Sequence, residues 1–297
     1  MSQPSGPFSV GFVGLGDMGG PMAERIVEQG FALTVFDLRP DAVAGLVGRG
    51  ATAAATLAEL AAGCDLVFLC VVNDGQVLEI VRDHLAGHLR AGSTLVIVSS
   101  VLPDTMREVE ALLPRRDGKP LVSLLDCPVT GSRPAAAAGT LTLMIGGDQA
   151  VIERIRPVLE TFSERIFPTG RLGSGQAMKI ANNVMLHMNH LVALEAVRFA
   201  RAQGIDEAAL IEVVNSGTGR SWVTETWGLI DDMFRNHPQA GTPGIYQMMV
   251  KEMTNAVQLS RTTGTWLPLT ALGVEIGHAV HIERELDLGI RPAGTNG

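Results

Sequence analysis

The chain has 297 residues, a net charge of −8, 46% hydrophobic residues and only 4% aromatic ones. Its length exceeds a single-core domain, so two domains are expected, and its acidic balance, without any dense Lys/Arg block, argues against a nucleic-acid partner. Cys64, Cys70 and Cys127 are odd in number and in no CxxC spacing, which argues against a disulfide framework or thiolate metal site and points to a reducing cytoplasm.

Met1 to Pro7 form a polar lead. The opening MSQPSGPFSV has no basic stretch followed by an apolar core, and no apolar run nears bilayer-spanning length, so no membrane partner is expected. From Phe8 the chain reads FSVGFVGLGDMGGPMAERIVEQG: an apolar strand, a turn in which Gly14, Gly16 and Gly19 satisfy G-x-G-x-x-G, then a helical pattern through Gln29. In a dinucleotide-binding turn the first Gly permits the bend, the second admits the pyrophosphate and the third packs helix on strand. The turn residues Gly14, Leu15, Gly16, Asp17, Met18 and Gly19 are therefore candidate cofactor ligands, with the pyrophosphate at the helix N-terminus.

A second strand, Leu33 to Phe36, ends in Asp37. An acidic residue there accepts the ribose hydroxyls and repels a 2′-phosphate, favouring NAD over NADP. Arg39 pulls the other way, since its guanidinium suits a phosphate as well as the flank of an adenine. Helical and strand patterns then alternate through DAVAGLVGRG, Leu57 to Ala62, Cys64 to Val72, DGQVLEIVRDHL, Ser93 to Ser100, Pro103 to Leu113, LVSLLD, LTLMIGG, DQAVIERIRPVLETF and RIFP. This repetition predicts a parallel sheet covered on both faces, a Rossmann-type α/β domain over residues 1–170. Ligands of such sheets lie beyond the strands' carboxyl ends. The residues there are Val72 and Asn73, Ser99 and Ser100, and the connection Cys127 to Thr140, where Thr130, Gly131, Ser132 and Arg133 form either a carboxylate cradle or an ordinary surface loop.

After Gly173 the β signals stop, and residues 171–297 read as an all-helical domain. Its first helix, Gly173 to Gly204, is apolar on nearly every face and is expected to be buried along most of its length. Lys179, Asn183, His187 and His190 share one face of it, either as a solvated or hydrogen-bonded contact or as a lysine and amide aimed into a cleft. Further helices are expected at DEAALIEVVNSG, Ser221 to Phe234, IYQMMVKEMTNAVQLSRTTG and LTALGVEIGHAVHIERELDLG, with punctuation at Gly217 to Gly219, His237 to Gly244 and Gly264 to Pro268 and a loose RPAGTNG end. Lys251 and Asn255 repeat the Lys/Asn spacing. The pairs His187/His190 and His278/His281 lack the carboxylates or thiolates of a metal shell, so no metal is expected.

Taken together, GFVGLGDMGGPMA, SSVLPDT, DCPVTGSRPAAAAGTLTLMIGG and GSGQAMKIANN resemble, in order, the β-hydroxyacid dehydrogenases of the 3-hydroxyisobutyrate dehydrogenase group, and the similarity extends over essentially the whole chain. The resemblance implies a Rossmann domain, a helical domain begun by the long helix, and a homodimer or homotetramer formed through the helical domain. It further implies Lys179 as the catalytic lysine, Asn183 as a substrate ligand, Thr130, Gly131 and Ser132 around the substrate carboxylate, and Ser100 in contact with both substrate and cofactor. Val72 and Asn73 would take the backbone contacts to the cofactor, and Lys251 would approach nicotinamide or substrate. Ser132 stands where the family usually has Gly and is followed by Arg133, so the acid pocket is expected to differ in size or charge; Val71–Val72 replace the usual Leu-Pro, which keeps the backbone contacts to the cofactor and changes the side-chain shape beside it.

The chemistry agrees with the resemblance. Oxidising a β-hydroxyl needs a base for the hydroxyl proton as hydride leaves the same carbon, and the reverse needs an acid. An amine drawn partly out of water releases its proton more readily and serves both directions. The expected activity is hydride transfer between NAD(H) and a short hydroxy acid or its semialdehyde. The rival readings are an imine reductase on the same fold and a non-catalytic NAD(P)(H)-binding module; both generally lack the lysine that stands here at 179.

Overall fold

The computed structural model describes residues 8–236 and 245–289. The polar lead, the His237 to Gly244 punctuation and the RPAGTNG end lie outside the described residues. The described residues form two compact units that part between Lys179 and Ile180, inside the long helix.

The first unit runs β1 (Ser9–Val13), α1 (Gly19–Glu28), β2 (Ala32–Phe36), α2 (Pro40–Val47), β3 (Thr52–Ala53), α3 (Leu57–Gly63), β4 (Leu66–Leu69) and α4 (Asp74–Ile80), which continues as a π turn over Val81–Leu85. There follow β5 (Thr94–Ile97), α5 (Pro103–Leu112), the small hairpin β6 (Arg115–Arg116) and β7 (Lys119–Pro120), β8 (Ser123–Asp126), β9 (Val129–Thr130) and α6 (Ser132–Ala138). It closes with β10 (Leu141–Gly146), α7 (Gln149–Leu159), β11 (Ser163–Gly170) and the first turns of α8 (Ser174–Ala202).

The main sheet has the order β11-β10-β8-β5-β4-β1-β2-β3, with β9 on β10. Alternation along the buried strands divides two cores: Leu66 and Phe68 pack with Phe12, Met22 and Ile26 on one face, Val67 and Leu69 with Leu60 and Met106 on the other. Six strands from β3 to β8 are parallel, but β10 runs antiparallel to β8 and β9, and β11 follows β10. The expected parallel sheet is present, with a mixed edge at β10. The Cys127 to Thr140 connection forms β9, which pairs antiparallel with β10, and the seven-residue α6, and apolar periodicity is the same for either strand direction.

The second unit continues α8 and adds α9 (Glu207–Ser216), α10 (Trp222–Glu225), α11 (Leu229–Asn236), α12 (Ile245–Thr263) and α13 (Pro268–Asp287) around Leu191, Leu194, Met253 and Val280. The single helix expected from Ser221 to Phe234 is two. A capping box at Ser221 starts one short turn, and Gly228, at φ +91°, breaks it from the next. Arg284, buried on α13, ties the unit together by bonding Asp231 and Glu207, while Trp227 Nε1 donates to Glu207 at 2.7 Å. Burial alone would raise the Glu207 carboxyl, but the hydrogen bonds from Arg284 and Trp227 and the charges of Arg284 and Arg201 hold it down at about 2.

The expectation that α8 is buried along most of its length also needs correction. Met178, Met185, Val192 and Phe199 are 50, 68, 58 and 70% exposed and recur every seven residues along one side. The buried side carries the polar stripe, because its imidazoles have partners: His187 Nε2 lies 2.6 Å from Glu252 Oε2, and His190 Nδ1 lies 3.2 Å from His281 Nε2. These two histidines belong to the helix packing of the second unit. Among the described residues no helix is long and apolar enough to cross a membrane.

Candidate active site

The strand-turn-helix from Ser9 to Glu28 has the form the glycines require. Gly14 sits at φ +90°, and a Cβ there would lie 2.0 Å from the carbonyl oxygen of Cys70. A Cβ at Gly19 would lie 2.0 Å from the Gly14 oxygen, so the third glycine is what lets α1 approach β1. Gly16 differs: a Cβ there would meet no described atom within 4 Å. Two glycines are explained by the chain's own packing and the middle one is not, which fits a ligand laid against its backbone at the start of α1.

Asp37, just past β2, is bound into this turn. It accepts the Leu15 N–H at 2.6 Å and the Arg39 N–H at 2.8 Å, while the Arg39 guanidinium bonds Asp37 and, at 3.0 Å, the Leu15 carbonyl. Burial alone would raise this carboxyl, but those hydrogen bonds and the Arg39 charge hold it below the usual aspartate range. Asp37 thus presents a carboxylate at the end of β2, and Arg39, though exposed, is paired with it.

At the end of β4, Asn73 caps α4 by accepting the Gln76 N–H at 2.9 Å, and the Val72 N–H is taken by Gln76 Oε1 at 3.0 Å, leaving the Val72 side chain exposed. The expected cofactor contacts at Val72 and Asn73 thus sit on a loop whose polar groups are partly used in local capping. Past β5, Ser99 is buried with its Oγ accepting the Val71 N–H at 2.7 Å, whereas Ser100 is exposed. Past β8, Thr130 ends β9, Gly131 stands at φ +129° and Ser132 at φ +64°, with Arg133 exposed on the first turn of α6. The predicted loop is a built turn and short helix.

Lys179 is half-buried on the second turn of α8, and Asn183, one turn on, is buried. Lys251 lies exposed on α12, where it lines an open hollow of about 440 Å³ with Tyr246, Gln247, Val250 and His278. Among the described residues no three His, Cys, Asp or Glu side chains gather as a metal site.

Sequence reasoning missed Asp126 and Gln176. Asp126, wholly buried at the end of β8, accepts the Gly173 N–H at 2.6 Å and the Gln176 N–H at 2.8 Å and so receives the N-terminus of α8. Burial raises its carboxyl above the normal range despite those amide bonds. Gln176 in turn bonds the backbone of the β5–α5 connection. The available signals were an aspartate closing the apolar run LVSLLD and a glutamine three residues before the lysine.

Residues 9–170 match the family described as the NAD binding domain of 6-phosphogluconate dehydrogenase, and residues 173–289 the family described as NAD-binding of NADP-dependent 3-hydroxyisobutyrate dehydrogenase. The chain is 31% identical to the NAD-dependent L-serine dehydrogenase of Pseudomonas aeruginosa, covering 90% of both chains. The chain belongs to the β-hydroxyacid dehydrogenase family. Other members include the mitochondrial 3-hydroxyisobutyrate dehydrogenase of Drosophila melanogaster, 31% identical over 93% of this chain and 85% of that protein. The solved 3-hydroxyisobutyrate dehydrogenase of Mycobacterium tuberculosis with L-serine aligns with a TM-score of 0.80 at 27% identity, covering 95% of each chain. As a β-hydroxyacid dehydrogenase the chain is an oxidoreductase whose first unit takes a nicotinamide dinucleotide, and the turn at Gly14 to Gly19 fits that group.

Proposed function

We propose that this β-hydroxyacid dehydrogenase oxidises the β-hydroxyl of a short hydroxy acid, or reduces the matching semialdehyde, with Lys179 as general acid/base. The observation that carries the reading is the anchoring of α8. The turn before Lys179 is tied through Asp126 and Gln176 to the ends of β8 and β5, in the sheet whose β1 leads into the dinucleotide turn. Bound nicotinamide supplies the hydride acceptor, or in reverse the donor. The Lys179 amine takes the hydroxyl proton during oxidation, and its ammonium returns that proton during reduction. Asn183 orients the hydroxyl, and Ser100, Thr130, Gly131 and Ser132 hold the carboxylate. A contact from Lys251 to cofactor or substrate remains part of the reading.

NAD is the proposed cofactor. Asp37 is held as a carboxylate that would repel a 2′-phosphate, and the Arg39 guanidinium is engaged by Asp37 and the Leu15 carbonyl. L-serine and 3-hydroxyisobutyrate, named for its relatives, are the first substrates to test. A homodimer or homotetramer through the helical unit is supported by the exposed seven-residue repeat on α8. The three free cysteines, with burial pushing Cys70 up to about 12, suit a cytoplasmic setting.

The deciding experiment is a screen of NAD and NADP reduction against short 2-, 3- and 4-hydroxy acids, with Lys179→Met alongside. The variant is expected to bind NAD normally while turnover falls by about a hundredfold or more. Unchanged turnover would remove Lys179 from the chemistry. Absence of any oxidised acid would favour the binding-module reading, and turnover of a cyclic imine instead would favour the imine reductase.

A further inference from the structure

We infer that Gln176 is a positioning residue for the proton transfer: it holds the Lys179 turn of α8 against the ends of β5 and β4. This rests on the assignment of Lys179 as acid/base. Gln176 is 0% exposed, and both ends of its amide are used. Nε2 donates to the Ser99 carbonyl at 2.8 Å, and Oε1 accepts the Val101 N–H at 3.0 Å. The Oγ of Ser99 takes the Val71 N–H at 2.7 Å, so the link runs from α8 through the β5 end to the β4 end. The backbone N–H of Gln176 meanwhile bonds Asp126 at the end of β8.

The two side-chain bonds have opposite polarity. An ionised glutamate cannot donate to Ser99, methionine can do neither, and asparagine is a methylene too short; glutamine meets both demands. The fit allows little slack, because a Cβ at Gly175 would lie 2.4 Å from the Met144 carbonyl and 2.7 Å from Asp126 Oδ2. Lys179 follows Gln176 by three residues, less than one turn, so any rotation or slide of that turn passes directly to the lysine. Acid/base transfer depends on hydrogen-bond geometry, so a displaced lysine lowers turnover while dinucleotide binding, made at the Gly14 to Gly19 turn, persists.

The test measures kcat, KM and NAD affinity for the parent enzyme, Gln176→Met, Lys179→Met and the double variant, with the short hydroxy acid that the parent oxidises best in that screen. Gln176→Met is expected to lose about tenfold or more in kcat with the NAD Kd within about twofold. The double variant is expected to be no slower than Lys179→Met, because Gln176 acts only through the lysine. Unchanged kcat in Gln176→Met, or losses that multiply in the double variant, would overturn the inference. Should Gln176→Met fail to fold, Gln176→Glu decides. Its carboxyl can replace the amide only when protonated, so its activity relative to the parent is expected to fall as pH rises; a ratio independent of pH would count against the positioning role. If Lys179→Met keeps full turnover, or no acid of the screen is oxidised, the underlying assignment fails; if Lys179→Met is impaired and Gln176→Met is not, only the positioning role falls.

Discussion

The Asp37 carboxylate accepts the backbone N–H of Leu15 at 2.6 Å, so the acidic end of β2 and the glycine-rich turn after β1 are one hydrogen-bonded piece. Asp37 therefore both shapes the dinucleotide turn and sets its charge. Replacing Asp37 with Asn keeps an acceptor near Leu15 while removing the negative charge and the ion pair to Arg39. The ratio of kcat/KM with NAD to that with NADP is expected to fall by about tenfold or more, equivalent to about 1.4 kcal/mol. An unchanged ratio would show that neither Asp37 nor Arg39 reads the ribose.

The three glycines of the turn should separate by assay. Gly14→Ala forces a side chain onto the Cys70 carbonyl at φ +90° and should cost on the order of 2–4 kcal/mol in urea unfolding of the first unit. Gly16→Ala has room in the chain and should melt within a degree or two of the parent, yet bind NAD about tenfold or more weakly by titration. Normal NAD affinity in Gly16→Ala would mean that no ligand approaches that backbone.

Ser132 holds φ +64°, the left-handed region that costs a non-glycine residue about 1 kcal/mol, and its hydroxyl bonds the Gly131 carbonyl. Ser132→Gly should release that strain and stabilise the first unit by about 0.5–1 kcal/mol in denaturant unfolding. If Ser132 helps hold the substrate carboxylate, KM for the acid should rise severalfold with kcat nearly unchanged. A loss of stability would show that the local hydrogen bond outweighs the strain.

Burial, and then the neighbouring His281, His187 and Arg284, push His190 down to about 3, and burial likewise lowers His281. Both imidazoles are therefore neutral in the fold at pH 7. A base whose folded pKa lies below its unfolded value near 6.5 contributes its full stability above that value and loses it as pH falls towards about 3. His190 alone should remove on the order of 2 kcal/mol between pH 7 and pH 5. Urea unfolding of the helical unit at the two values measures this, and His190→Gln should flatten the slope. An equal slope in the variant would assign the pH response to other groups.

Met185 and Phe199 are the most exposed members of the seven-residue repeat on α8. The double substitution Met185→Glu and Phe199→Glu should turn the proposed oligomer into a monomer by sedimentation equilibrium, since charge on an apolar helix seam is not tolerated. An unaltered mass, in an oligomer or a monomer alike, would place the contact elsewhere or remove it.

The order of elements, the dinucleotide turn and the helical second half were legible in the amino-acid sequence, because each rests on local chemistry: glycine freedom at Gly14, the unbroken apolar run Leu66 to Leu69, and the 3.6-residue period of the long helix. Membership of the family was legible too, since its motifs are short and contiguous. Strand direction at β10, the break at Gly228 and the outward turn of Met185 and Phe199 were not, because a strand reads the same either way and a helix does not state which side its neighbours will cover. Most of all, nothing local joins Asp126 to Gly173 or Gln176 to Ser99, residues 47 and 77 positions apart. Only the packing of the sheet brings those backbone groups within hydrogen-bond reach of a side chain of the right length, and there the tertiary structure alone decides how the turn bearing Lys179 is held.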